Sequence, residues 1–312
     1  MDRILIIKLS AFGDIVQAEG AIHDIRNHHP GAEIILMTTP PYRVLMEKCP
    51  WVDSVFIDPR ESRWRLDRMV SLRNRLRRLK VTRVYDLQQV SRTGYYHRLF
   101  LPDVSWDVAR NSKLLKDPDF CRKGAMDRFA VHLAEAGIRI RHTLQPDLSW
   151  MAEDATALLA GENITGPYVV LIPGSSAGYD EKRWPHYNGL AAWLRGRGRE
   201  VITVPGPDEM QLCRTLTHAT MITDRGRYLN FFELAGVLMR AEFVIGNDTG
   251  PTHLAAHLGR PGLALFSGRY FEASRTGIQH SRFSWLEADV LRDLSFDTVR
   301  EKVGAHFLRN GD

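Results

Sequence analysis

The stretch Val244-Ile245-Gly246-Asn247-Asp248-Thr249-Gly250-Pro251-Thr252-His253 leaves this chain few folds to choose from. Phe243, Val244 and Ile245 form a short apolar run that reads as a buried strand. Gly246 and Asn247 are expected to break it. Asp248-Thr249-Gly250-Pro251 supplies cap and turn chemistry, and 252–258 reads as the helix that follows. In open α/β sheets, ligands gather at the carboxyl ends of strands. The unpaired first amides of a helix there attract anions. A phosphorylated ligand is therefore the first expectation.

The rest of the chain repeats the same grammar. Strands are expected at 4–7, 33–38, 52–57 and 81–87. Helices follow from 15, where apolar residues recur at 15, 18, 22 and 25 until Pro30-Gly31 stops the helix, and at 40–47, 64–80 and 128–136. Residues 101–119 are poorly patterned and read mostly as loop. The pattern restarts after Pro146 and the turn-like 163–167. Strands are expected at 168–172, 201–204, 243–245 and 262–266, with helices at 153–159, 185–195, 229–240, 252–258 and 293–307. This predicts an α/β chain of two Rossmann-like, doubly wound domains, 1–160 and 161–312, facing a central cleft. The last helix is free to pack back on the first domain.

A chain of 312 residues suits two domains. No apolar run approaches the roughly 18 residues of a membrane span, and the amino terminus lacks the pattern of a signal peptide. Cys49, Cys121 and Cys213 share no metal or disulfide spacing, which fits a reducing cytoplasm. Net charge is +5, but residues 60–83 hold ten Arg and Lys against two acids. That run fits an anionic sugar, a phospholipid surface or a solvated helix face. With neither interleaved aromatics nor a recognised binding motif, nucleic acid is not expected as a partner.

Several residues sit where chemistry is expected. Asp14 starts the first helix beside Gly13 and Ala11. It fits an N-cap, and it equally fits a base that accepts a proton from a substrate hydroxyl. The helix end and nearby Lys8 are expected to keep it ionised. Ser175 and Ser176 lie in a Ser/Gly loop ahead of Lys182-Arg183-Trp184-Pro185, a phosphate-binding pattern in which Lys182 is a compact positive charge. Glu233 fits a ligand for ribose hydroxyls or an ordinary helix residue. His253 and His257 are spaced for zinc but lack a third ligand, so no metal is expected. No dinucleotide fingerprint follows the first strand and no Walker lysine occurs.

Together these stretches resemble the ADP-heptose:lipopolysaccharide heptosyltransferases of glycosyltransferase family 9. The resemblance rests on Lys8-Leu9-Ser10-Ala11-Phe12-Gly13-Asp14, Asp86-Leu87-Gln88 with Arg92-Thr93, and Pro173-Gly174-Ser175 with Lys182-Arg183-Trp184-Pro185. Pro205-Gly206-Pro207-Asp208-Glu209 and Asp248-Thr249-Gly250-Pro251-Thr252-His253 complete it, all in order along the chain.

The resemblance implies a GT-B fold and an inverting, metal-independent transfer. The donor would be ADP-L-glycero-D-manno-heptose and the acceptor the anionic inner core of lipopolysaccharide. The first domain would take the acceptor and the second the nucleotide-sugar. Asp14 would be the general base and Lys182 the donor phosphate ligand, aided by Ser175 or Ser176. Asp248 would hold the heptose hydroxyls, Thr249 and Gly250 the diphosphate, with His253 beside them, and Glu233 the ribose. Arg60, Arg63 and Arg92 would meet the acceptor's acidic groups. The protein would be cytoplasmic, with peripheral contact at the inner membrane. Another nucleotide-sugar donor, or a catalytically silent sugar-nucleotide binder, remains open at this point.

Overall fold

The structure, a computed structural model, describes residues 1–107, 118–175, 180–269 and 272–309. It divides into two compact units, Met1–Trp150 and Met151–Asp312. The division falls ten residues ahead of the boundary expected at 160. The reason is local: Glu153 N donates to Phe232 O (3.3 Å), and the Glu153 carbonyl lies against Gly236, so the chain has already joined the second unit there.

In the first unit β1 (Arg3–Ile7), β2 (Glu33–Thr38), β3 (Ser54–Ile57), β4 (Arg83–Asp86) and β5 (Ser105–Asp107) form one sheet, ordered β3-β2-β1-β4-β5. Every pairing is parallel. The near-continuous apolar runs of β1 and β2 are what a sheet covered on both faces requires. Leu5 and Ile7 share a core with Met69, Leu72 and Leu76 of α3 (Leu66–Arg78) and Tyr96 and Phe100 of α4 (Ser91–Phe100). Side-chain alternation sends Ile4 and Ile6 to the other face. The right-handed crossover from β1 to β2 puts α1 (Phe12–His28) there. Helix α1 packs on α6 (Ala125–Glu135), the last helix of this unit after α2 (Arg43–Glu47) and α5 (Pro118–Arg122).

Three elements in this unit depart from expectation, the unexpected short helix α5 among them. Helix α4 follows β4 directly. Strand β5 falls within 101–119, where loop was expected, and its Trp106 is 9% exposed and part of the core. Residues 108–117 lie outside the described residues.

The second unit carries β6 (Tyr168–Ile172), β7 (Glu200–Thr203), β8 (Thr220–Met221), β9 (Phe243–Asn247), β10 (Gly262–Ser267) and β11 (Phe283–Ala288). Their order is β11-β10-β9-β6-β7-β8, and again all pairs are parallel. The helices are α7 (Thr156–Gly161), α8 (Tyr187–Arg195), α9 (Met210–Arg214), α10 (Phe231–Met239), α11 (Gly250–His257) and α12 (Phe296–Arg309). Val299, Val303 and Phe307 of α12 are buried with Leu190 and Leu194 of α8 against Val169, Leu171 and Ile245. The apolar face of the last helix thus belongs to the core of its own domain. Strands β8 and β11 were not expected from sequence. Strand β9 also runs two residues further than expected, because Asn247 is wholly buried and hydrogen-bonded rather than turned out to break it.

Candidate active site

In both sheets the chain first moves outward in one direction and then returns to build the other side. The strand order therefore reverses between β1 and β4 in the first sheet and between β6 and β9 in the second. Loops part at such a reversal and leave a crevice at the carboxyl ends of the strands.

In the second domain that point is organised by Asn247, which is 0% exposed. Its Nδ2 donates to the carbonyls of Pro173 (2.8 Å) and Gly174 (3.1 Å). Its Oδ1 accepts from Tyr187 Oη (3.1 Å) and Trp184 N (3.4 Å). One amide thus fixes the loop after β6, the segment entering α8 and the end of β9. In sequence Asn247 resembles a strand breaker, because it is a polar residue that ends an apolar run.

Asp248 comes next. Its Oδ2 lies 3.5 Å from Lys182 Nζ and its Oδ1 3.1 Å from His253 Nε2. All three side chains are mostly buried, at 17%, 12% and 7% exposure. Burial alone would raise the Asp248 carboxyl, but the hydrogen bonds and charges of His253 and Lys182 outweigh it and hold the group below the usual carboxylate range. His253 stands on α11, whose N-cap is Thr249 with Gly250 and Pro251 following. The Thr249 side chain makes no capping hydrogen bond. Lysine, a helix N-terminus and an ionised aspartate thus meet at one strand end.

The remaining donor-side residues are placed as follows. Ser175 is buried, and its Oγ accepts from Arg183 Nε (3.1 Å), a partner not singled out from sequence. Ser176 lies outside the described residues. Glu209 packs so closely on Gly174 that a Cβ there would lie 1.7 Å from its Oε1. The Glu209 carboxyl is raised by burial, against the opposing Gly206 amide and Arg183. Glu233 closes a capping box on α10: its Oε2 accepts from Asn230 N (2.8 Å), while Asn230 Oδ1 accepts from Phe232 N and Glu233 N. His257 is buried, and burial pulls its imidazole down to about 3, so it stays neutral. Among the described residues, no three His, Cys, Asp or Glu gather as a metal site.

In the first domain, Asp14 is exposed at the first turn of α1, and its Oδ2 accepts from Ala11 N (2.9 Å). Gln88, at the carboxyl end of β4, straps the same loop: its Oε1 accepts from Leu9 N (2.8 Å) and Ser10 N (3.3 Å). Lys8 is buried beneath the loop. Burial draws its ammonium below the ordinary lysine value, with Asp14 and Asp86 opposing. The buried Asp86 is raised by desolvation, against hydrogen bonds from Thr93 and the amides of Gln89 and Gln88.

The three arginines expected at the acceptor differ in situation. Arg60 is exposed, and its Nη1 donates to Ser10 Oγ (3.1 Å) in the Asp14 loop. Arg63 is exposed. Arg92 is engaged inside the domain. Its Nε and Nη2 each lie 3.2 Å from the two oxygens of fully buried Asp58, and its Nη1 donates to Glu61 O (2.9 Å). Asp58 in turn accepts from Arg60 N (2.8 Å) and Tyr96 Oη (2.6 Å). Arg92 therefore holds the loop that presents Arg60. Among the described residues no helix is long and apolar enough to cross a membrane.

Two doubly wound α/β domains in one chain make up a GT-B fold. Residues 69–277, more than half of the chain, match glycosyltransferase family 9 (heptosyltransferase), and the chain belongs to that family. It is 24% identical over 300 residues to lipopolysaccharide heptosyltransferase 2 of Salmonella typhimurium, covering 85% of this chain and 82% of that protein. In fold it is similar to E. coli ADP-heptose lps heptosyltransferase II, with a TM-score of 0.72 and 19% identity over the whole of both chains. It is also similar to E. coli heptosyltransferase WaaC with ADP-2-deoxy-2-fluoro heptose, with a TM-score of 0.70, 18% identity, and 97% of this chain and 99% of that chain covered.

Proposed function

We propose that this glycosyltransferase moves heptose from ADP-L-glycero-D-manno-heptose to a hydroxyl of the lipopolysaccharide inner core, with inversion at the anomeric carbon. The observation that carries the donor half is the Lys182–Asp248–His253 array at the N-terminus of α11. The acceptor oxygen forms a bond to the anomeric carbon as the bond to the diphosphate breaks. The leaving ADP keeps the electron pair, and the hydroxyl proton passes to Asp14. Lys182 and the first amides of α11 stabilise the charge that develops on the diphosphate. Once the diphosphate takes up Lys182, Asp248 is released to hold sugar hydroxyls. Thr249, Gly250 and Ser175 line the phosphate side, and Ser176 belongs to the same loop. Glu233 takes the ribose with the oxygen its cap leaves over. Arg60 and Arg63 meet the acidic groups of the core, and Arg92 positions them.

On this reading the protein needs no metal and works in the cytoplasm at the periphery of the inner membrane. The likeness to E. coli heptosyltransferase WaaC, a structure with ADP-2-deoxy-2-fluoro heptose, supports the donor. The test is incubation with ADP-heptose and a panel of truncated core acceptors, read by mass spectrometry with and without chelator. Addition of one heptose in both conditions is expected. Transfer from a different nucleotide-sugar alone, or no transfer from any, would overturn the reading.

A further inference from the structure

We infer that the segment leading into α3 is a membrane-docking element, with Trp64, Leu66 and Val70 entering an anionic bilayer and Arg65, Arg68 and Arg73 meeting its phosphates. This rests on the proposed lipid-linked acceptor and names the surface that would bring the enzyme to it. Trp64 is 91% exposed, Leu66 70% and Val70 53%. Single exposed apolar residues are ordinary, whereas a cluster marks an interaction surface. These three lie together within residues 64–70. Leu66 and Val70 are four apart on α3 and share a face. The core-facing stripe of that helix is Met69, Leu72 and Leu76, so the exposed pair is not turned into the domain. Trp64 stands just ahead, its backbone held by Leu66 N donating to its carbonyl (3.0 Å).

The charge along this stretch selects the partner. Residues 60–73 hold five arginines against Glu61 and Asp67. Asp67 is bridged by Arg65 (3.4 Å) and Arg68 (3.5 Å), so the local balance stays positive. Further along the helix two arginines serve the fold, while Arg78 is exposed. Arg75 donates to Ile57 O and lies over Phe56, and Arg77 donates to Phe100 O. Arg65, Arg68 and Arg73 share the stretch 64–73 with the exposed apolar residues. Tryptophan and aliphatic side chains interspersed with arginine suit the headgroup–acyl boundary of an anionic membrane. A second copy of the chain would set like charges against each other, and nucleic acid would call for several stacking aromatics where this segment has one. The element also lies beside the reacting loop, since Arg60 reaches Ser10 Oγ.

The test is co-sedimentation of the full chain with vesicles of phosphatidylcholine alone and of phosphatidylcholine containing phosphatidylglycerol. Binding to the mixed vesicles only, weakening with salt, is expected. Trp64→Ser with Leu66→Ser and Val70→Ser should weaken it by about tenfold or more. Arg68→Gln with Arg73→Gln should weaken it comparably and flatten the salt dependence. Both variants should keep wild-type transfer to a deacylated, soluble acceptor. Wild-type protein that ignores mixed vesicles at low salt would overturn the inference. So would a triple variant that still binds as wild type, including one that merely loses self-association. Vesicle binding requires no donor and no turnover, so it can fail while heptosyl transfer stands, and the reverse.

Discussion

Asn247 and Pro173, 74 residues apart in sequence, are joined across the strand reversal of the second sheet by an Nδ2–H···O=C bond of 2.8 Å. The same side chain serves Gly174, Tyr187 and Trp184, so the phosphate-side loop cannot move without breaking a buried bond. Asn247→Ala would strand two carbonyls and the Tyr187 hydroxyl in a dry site, at a cost of about 2 to 4 kcal/mol. We expect a lower denaturation midpoint together with a raised donor KM. Asn247→Asp keeps the acceptor oxygen but sets a carboxylate against two carbonyls, and it should be the worse of the two. Wild-type stability and donor KM in Asn247→Ala would show that the loop is held by something else.

Asp14 is the group for which a fold role and a chemical role can be separated. Its contribution to the fold is one hydrogen bond from Ala11 N at an exposed helix start. Asp14→Asn keeps an oxygen for that bond but cannot take a proton. We expect stability within about 1 kcal/mol of wild type and a transfer rate lowered by roughly 10² to 10⁴. Steady-state kinetics beside a urea melt give both numbers. Full activity with a native melt would remove Asp14 from the chemistry.

The strands at 4–7, 33–38 and 168–172 were legible because both faces of a parallel strand are covered, which leaves an unbroken apolar run in the sequence. The polar cluster at 248–253 was legible because cap and turn residues are confined to few types. Short edge strands were not. Strand β5 spans three residues, and β11 after Phe283 alternates half-buried with exposed positions, so neither makes a run. Partnerships across the sheet were not legible either. Arg92 reads as a free cation until Asp58, 34 residues away, is placed beside it. Asn247 reads as a strand breaker until two distant carbonyls are placed over it. Single-chain patterns report which face a residue takes, not which remote group meets it there.

Lys182 offers a second kinetic test. It faces Asp248 at 3.5 Å in a mostly buried setting, so removing it leaves a carboxylate without its cation. Lys182→Ala should lower the transfer rate by roughly 10²-fold or more, as loss of a charge aimed at a leaving group does. Because Asp248 is held below the usual carboxylate range, its contribution to stability is present above the ordinary aspartate value near pH 3.9 and lost only as pH falls through the lower folded value. The wild-type pair should therefore be indifferent to pH from neutrality down to mild acid. A stability loss already setting in near pH 6 that disappears in Asp248→Asn would contradict this assignment.

Glu19, five residues after Asp14 on α1, gives the opposite pH signature. It is 2% exposed on α1, and burial pushes its carboxyl up to about 7, although Trp51 Nε1 and Asp147 N both donate to it. An acid raised in the folded state binds its proton more tightly there than in the unfolded chain. Stability is then unaffected below the unfolded value near 4.5, falls as pH rises, and reaches its full deficit above about 7. The deficit that accrues between pH 5 and pH 8 is about 2 to 3 kcal/mol. Glu19→Gln removes the titration but keeps a neutral side chain like that of the protonated acid. Its stability relative to wild type should therefore improve by that amount from pH 5 to pH 8. Urea unfolding followed by tryptophan fluorescence at the two pH values measures the difference, and Trp51 stands at the site as a reporter. An unchanged difference between the two pH values would mean that Glu19 is ionised in the folded protein throughout.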